Sequence, residues 1–204
     1  MLEHRHHTPM DTFWHRRFGP AVGAIAVFLI EVVQIVIISA AIIIPIRYFL
    51  IQPFYVKGAS MEPNFYDHEY LIIDELSYRV REPERGEIVV FRYPKDPSQF
   101  FIKRVIALPG ETVEVADNAV TVFNDAYPNG KEVDEPYLVD TVTNGKLKKT
   151  LGPGEYFVMG DNRDESLDSR TFGPVARENI VGRVWVRGLP LSRAGAFPAP
   201  AYNF

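Results

Sequence analysis

Phe101-Ile102-Lys103-Arg104-Val105-Ile106-Ala107-Leu108, closed by Pro109-Gly110, is the stretch on which the fold turns. It is short, β-branched and apolar, and it ends on a Pro-Gly turn, the pattern of a buried strand. Strand alternation puts Phe101, Lys103, Val105 and Ala107 on one face and Ile102, Arg104 and Ile106 on the other. Lys103 therefore shares a row with apolar neighbours. Burial disfavours the ammonium and can lower a lysine pKa by ~3–5 from ~10.4, leaving an amine able to act as a base. Taken alone, Lys103 reads more readily as an edge-strand lysine reaching solvent.

The same pattern repeats outward in both directions. Tyr70 to Asp74, Glu87 to Arg92, Thr112 to Val115, Ala119 to Phe123, Glu155 to Met159 and Ile180 to Val186 all read as short strands. Turn residues such as Asp117-Asn118 and Pro153-Gly154 separate them. The polar stretch 125–150 reads as a surface insertion, a hairpin or loop. The chain from residue 48 to 204 is thus expected to be one mainly β domain.

Ahead of it the composition changes. Ala21 to Ile46 is apolar except for Glu31, Gln34 and Ser39. About 26 residues at ~1.5 Å rise make ~39 Å of helix, more than the ~30 Å of hydrocarbon in a bilayer. A buried helix of a soluble core rarely runs this long without a polar face. A cleavable signal peptide has a shorter apolar region, ~7–15 residues. The expectation is an uncleaved transmembrane signal anchor at 21–47, following a cytoplasmic tail at 1–20. Arg5, Arg16 and Arg17 precede the span, Arg47 and Lys57 follow it, and the positive-inside rule favours a cytoplasmic N-terminus. Tyr48 to Val56, aromatic and apolar, suits the membrane interface or the first strand of the domain.

Composition narrows the chemistry. The 204 residues contain no cysteine, which excludes disulfides, thiolate metal sites and a cysteine nucleophile. The net charge is −4 and no basic stripe is present, so nucleic acid is not an expected partner. His4, His6, His7, His15 and His68 are all the histidines, so catalysis in the later two-thirds of the chain needs another base. The early histidines fit a tail better than a metal site.

Two further stretches carry candidate chemistry. Gly58-Ala59-Ser60-Met61-Glu62-Pro63 places a serine after two small residues and before a restraining proline, a turn that suits an exposed nucleophile but, taken alone, more often carries a structural serine. Gly160-Asp161-Asn162-Arg163-Asp164-Glu165-Ser166-Leu167-Asp168-Ser169-Arg170 is dense in charge. It is not a calcium loop, because Arg163 stands where an oxygen ligand is needed and the loop glycine is missing. It reads as a loop held by Asp–Arg pairing, or as a solvated surface loop.

Ser60-Met61, Gly86 to Pro94, Phe101 to Glu111, Gly160 to Arg170, Phe172 to Val175 and Pro190 to Arg193 occur in an order that resembles the bacterial type I signal peptidases. The resemblance spans the anchor and nearly the whole domain. It implies a compact antiparallel β-sheet catalytic domain of the signal-peptidase type. It implies Ser60 as nucleophile and Lys103 as general base, and Ser166 as the serine that orients the lysine amine. Asp168 and Arg170 match a supporting ion pair. Neither a cofactor nor a metal is implied. Some members carry a serine two residues before the nucleophile, where its hydroxyl helps the oxyanion hole; Gly58 stands there in this sequence. The short insertion resembles the compact members that lack a large second domain.

The function implied is membrane-bound acyl transfer to serine. Substrates would be secretory preproteins, cut after small residues at the first and third positions before the bond. Shallow apolar pockets lined by Val56, Met61 and Ile102 would reject larger side chains. The expected location is a bacterial cytoplasmic (inner) membrane, single-pass. The catalytic domain would be extracytoplasmic, in contact with phospholipid and associated with the protein export machinery. A self-cleaving Ser/Lys repressor would need a DNA-binding helical domain where the anchor stands. An inert anchored β-module is the rival of another class.

Overall fold

A computed structural model describes residues 20–49, 51–139 and 141–198. The tail residues His4, His6, His7, His15, Arg5, Arg16 and Arg17 lie outside them. Two compact units are present, 1–48 and 49–204.

In the first unit, α1 spans Pro20–Phe49, 30 residues or ~45 Å. Gly23–Pro45 is long and apolar enough to cross a membrane. Ile25, Phe28, Leu29, Ile35 and Ile43 are all more than half exposed, so the helix presents apolar side chains around its circumference. Glu31 and Gln34 sit one turn apart, also exposed.

The second unit is built on antiparallel sheets. The larger runs in the order β1-β2-β11-β3-β4-β9-β10, with β12 also pairing β11. Its strands are β1 Ile51–Tyr55, β2 Tyr70–Asp74, β3 Ile88–Tyr93, β4 Asp96–Ala107, β9 Glu155–Met159, β10 Val175–Ala176, β11 Ile180–Leu189 and β12 Gly195–Ala196. The smaller sheet, β7-β6-β5-β8, joins β5 Thr112–Ala116, β6 Ala119–Phe123, β7 Lys131–Glu132 and β8 Leu147–Thr150. β1 is an edge strand, which is why it tolerates Pro53. Asp117 and Asn118 both have positive φ, 50° and 65°, as a two-residue hairpin between β5 and β6 demands.

Three apolar clusters fill the unit. One lies between the small sheet and the ends of β4 and β9, around Ile106, Val113, Val122, Phe157 and Met159. A second lies under the turn bearing Ser60, around Val56, Met61, Phe65, Leu71 and Val90. The third covers the opposite face of the large sheet, around Val89, Phe91, Val105, Tyr156 and Val158. Ile88 to Phe91 are all buried, so β3 is covered on both faces and reads as a continuous apolar run.

Most strands stand where local pattern places them, and the differences have physical causes. β4 begins at Asp96, because Tyr93 pairs with Asp96 across a tight β3–β4 hairpin whose polar tip hides the strand. The insertion is not wholly irregular: β7 and β8 lie inside it, and β8 pairs Thr112 to Val115 of β5. β8 reads Leu-Lys-Lys-Thr, with three of four residues exposed on a sheet edge. A charged edge strand has no alternation to reveal it.

Candidate active site

The turn between β1 and β2 carries Ser60, and β4 carries Lys103. Met61 and Phe65, fully buried, anchor the turn in the second cluster. Asn64 and the Arg187–Glu69 ion pair hold its far side: Arg187 donates to the Asn64 carbonyl at 2.8 Å and to Glu69 at 3.0 Å. The turn then places Ser60 Oγ 2.6 Å from Lys103 Nζ. The amine also donates to the Ile102 carbonyl at 2.9 Å. Lys103 is 3 % exposed. Burial pushes its pKa down to about 8; the Asp168 and Asp161 carboxylates pull it back up, and Arg170 depresses it further.

The charged loop after β9 closes over this pair. Asn162 donates from its backbone to the Ser60 carbonyl at 3.1 Å and from its amide to the Ala59 carbonyl at 3.2 Å. Gly160 is pressed against the same turn. A Cβ there would stand 2.5 Å from Ser166 Cβ, and closer still to Ser166 Oγ and the Ser60 carbonyl oxygen. Asp168 is completely buried and takes both Nε and Nη2 of Arg170, each at 2.9 Å. It also accepts from the Gly160 N–H at 3.1 Å and caps the short helix α2, Ser169–Phe172.

Two sequence expectations need amendment. Ser166 does not bond the amine of Lys103. Its hydroxyl is buried without a hydrogen-bond partner among the described residues, while the amine is turned to Ser60 and Ile102. The space left by the missing Gly160 side chain is where that hydroxyl packs. Met61 is core rather than pocket wall, being 1 % exposed. Val56 and Ile102 do line the cleft beside Ser60, with Phe54, Leu71, Val90 and Phe100; its volume is about 440 Å³. At position 58 the chain has φ +93°, and the Gly58 N–H donates to Asp67 Oδ1 at 3.0 Å. Gly58 thus offers the cleft neither a hydroxyl nor a free donor.

The charged loop is solvated only in part: Asp164 and Glu165 are exposed, while Asp161, Arg163 and Asp168 are buried. Asp161 pairs with Arg104 at 2.8 and 2.6 Å, both buried. The Arg163 guanidinium is fully enclosed and pairs with Glu135, a residue inside the insertion. Glu135, Tyr137, Asn64 and Asn162 are site-supporting residues that local pattern does not single out. Arg163 stands 28 positions from Glu135, and Ala59 stands 103 from Asn162, so no spacing signal reveals these contacts.

Comparison with known proteins identifies the family. The family model "Signal peptidase, peptidase S26" matches residues 29–188. A probable signal peptidase I-2 from Synechocystis is 38 % identical over 171 residues, covering 81 % of this chain and 76 % of the relative. The signal peptidase I of Bacillus amyloliquefaciens is 40 % identical, covering 72 % and 78 %. A solved signal peptidase I from Enterococcus faecalis is 32 % identical, covers 52 % of this chain and 98 % of its own, and has a TM-score of 0.45. The chain belongs to the signal peptidase family, peptidase S26, whose members are serine peptidases that remove signal peptides.

Proposed function

We propose that the chain is a membrane-anchored endopeptidase that releases signal peptides through a Ser60 nucleophile and a Lys103 general base. The 2.6 Å contact between Ser60 Oγ and Lys103 Nζ carries the proposal. With a pKa of about 8, roughly half the Lys103 amine is neutral at pH 8, against less than ~1 % for an ordinary lysine. The neutral amine accepts the Ser60 proton as Oγ attacks the scissile carbonyl. In this reading the Ser60 N–H donates to the oxyanion. Collapse breaks the C–N bond, and the Lys103 ammonium protonates the departing amine. Lys103 then deprotonates a water that hydrolyses the ester and frees Ser60. Asp168 and Arg170 support the loop behind the pair.

The cleft supports the substrate class. β4 pairs β9 only from Arg104 onward, so Phe100 to Lys103 keep one open edge beside Ser60. An extended peptide added there points every second side chain the same way. The residues at the first and third positions before the bond then face the walls formed by Val56 and Ile102. Little depth is available there, so small side chains are selected. Residues 21–47 are the single span of a bacterial cytoplasmic membrane, with tail 1–20 cytoplasmic and domain 48–204 outside. There the enzyme meets preproteins emerging from the export machinery.

The test is incubation of the detergent-solubilised protein with a preprotein, with mass spectrometry of the cut site and of Ser60 after a serine-directed acylating probe. Cleavage after small residues and labelling at Ser60 are expected. Cleavage that persists in Ser60→Ala overturns the proposal.

A further inference from the structure

Both polar groups of the Gly160 backbone end on ion pairs. Its N–H goes to Asp168, which Arg170 holds. Its carbonyl accepts from Arg163 Nε at 3.1 Å, and the other two nitrogens of that guanidinium go to Glu135, one of them at 2.8 Å. Thr143 Oγ1 accepts from Arg163 as well. The pairs are joined, because Arg170 donates to the Arg163 carbonyl at 2.6 Å and to the Asn144 carbonyl at 3.1 Å. Glu135, Thr143 and Asn144 all lie in the insertion. Glu135 further accepts from the Tyr137 hydroxyl at 2.6 Å. The Tyr137 ring lies 3.8 Å from the Arg104 guanidinium, and its carbonyl accepts from Asn64 at 3.0 Å. The segment Glu135–Tyr137 thus touches the charged loop, β4 and the nucleophile turn.

We infer that Glu135 is a positioning residue for the Ser60–Lys103 reaction: it fixes the Arg163 guanidinium, which holds the Gly160 carbonyl and so presses the loop onto the nucleophile turn. The inference rests on the proposed roles of Ser60 and Lys103. A buried arginine would need a counter-charge in any case. What marks a role beyond neutralisation is the third donor of the fork, committed to Gly160 O at the point where the loop meets the Ser60 carbonyl. Without Glu135 the guanidinium is free to swing, the loop lifts, and water reaches Lys103. The charges acting on Lys103 are Asp168, Asp161 and Arg170, and none of them is changed by replacing Glu135.

The experiment compares the full-length parent with Glu135→Gln and with Glu135→Leu/Arg163→Met. Peptide cleavage and melting are measured at a temperature where every variant is folded. Both variants should lose roughly 10- to 100-fold in kcat, the scale of a ~1 Å misplacement. KM should move little, and the acid limb of the pH–rate profile should shift alkaline. The double variant carries no buried unpaired charge, so its melting midpoint should recover towards the parent while its kcat does not. Recovery of kcat together with stability shows a merely structural pair and overturns the inference. So does a parent-like kcat and acid limb in Glu135→Gln, which keeps the inference falsifiable if the double variant does not fold. Ser60→Ala, run alongside, retains activity only if the underlying Ser60–Lys103 proposal is wrong.

Discussion

Replacing Gly160 by alanine adds one methyl group at the closest approach in the active site. The new Cβ would lie 2.5 Å from Ser166 Cβ and nearer still to the Ser60 carbonyl oxygen. Ordinary carbon contacts begin near ~3.5 Å, so the two backbones must separate by about 1 Å. Neither side yields easily. The Ser60 carbonyl is tied to the Asn162 N–H at 3.1 Å, and Gly160 is tied to Asp168 and Arg163. Overpacking of this kind costs ~1–3 kcal/mol, which for a domain of this size lowers the melting midpoint by roughly 2–12 °C. The kinetic effect should be larger, because the displaced atoms carry the nucleophile: a ~1 Å error can cost ~100-fold in turnover. The assay is peptide cleavage under single-turnover conditions, run well below the melting midpoint of the variant. A folded Gly160→Ala enzyme acylating at the parent rate would refute the close approach of loop and turn.

The remaining predictions concern charge. Activity should rise with pH through a limb near 8, because the base must be neutral and its pKa is depressed to about 8; a limb near ~10 would show that Lys103 is not desolvated in solution. Lys103→Arg should reduce kcat by ~10⁴ or more at every usable pH, since guanidinium stays protonated and nucleophile and base act as a unit. Asp168→Ala leaves Arg170 without its carboxylate and the Gly160 N–H without an acceptor, so stability should fall by ~3–5 kcal/mol together with activity. Unchanged melting with complete loss of turnover would instead place Asp168 in the chemistry.

Alternation and length are local properties, and they determined a good deal here. Tyr70–Asp74, Ala119–Phe123 and Glu155–Met159 are strands at the boundaries their residues imply. The apolar run makes α1, because 30 residues without a polar face have one common use. The row on β4 left Lys103 open between a buried amine and one reaching solvent, and the packing on both faces of the strand decides for burial. What local pattern cannot encode is which distant group each face meets. Ser60 and Lys103 are 43 positions apart, and only the packing of Met61 and Phe65 beneath the turn sets their 2.6 Å separation. The same limit hid the pairing of Arg163 with Glu135, made Met61 look like pocket wall, and did not reveal that the Ser166 hydroxyl makes no bond to the amine. Sequence left a solvated loop open beside an Asp–Arg-paired one, because charge favours water. Asp161 and Arg163 are buried in the fold because each finds an opposite charge contributed by another element, Arg104 on β4 and Glu135 in the insertion.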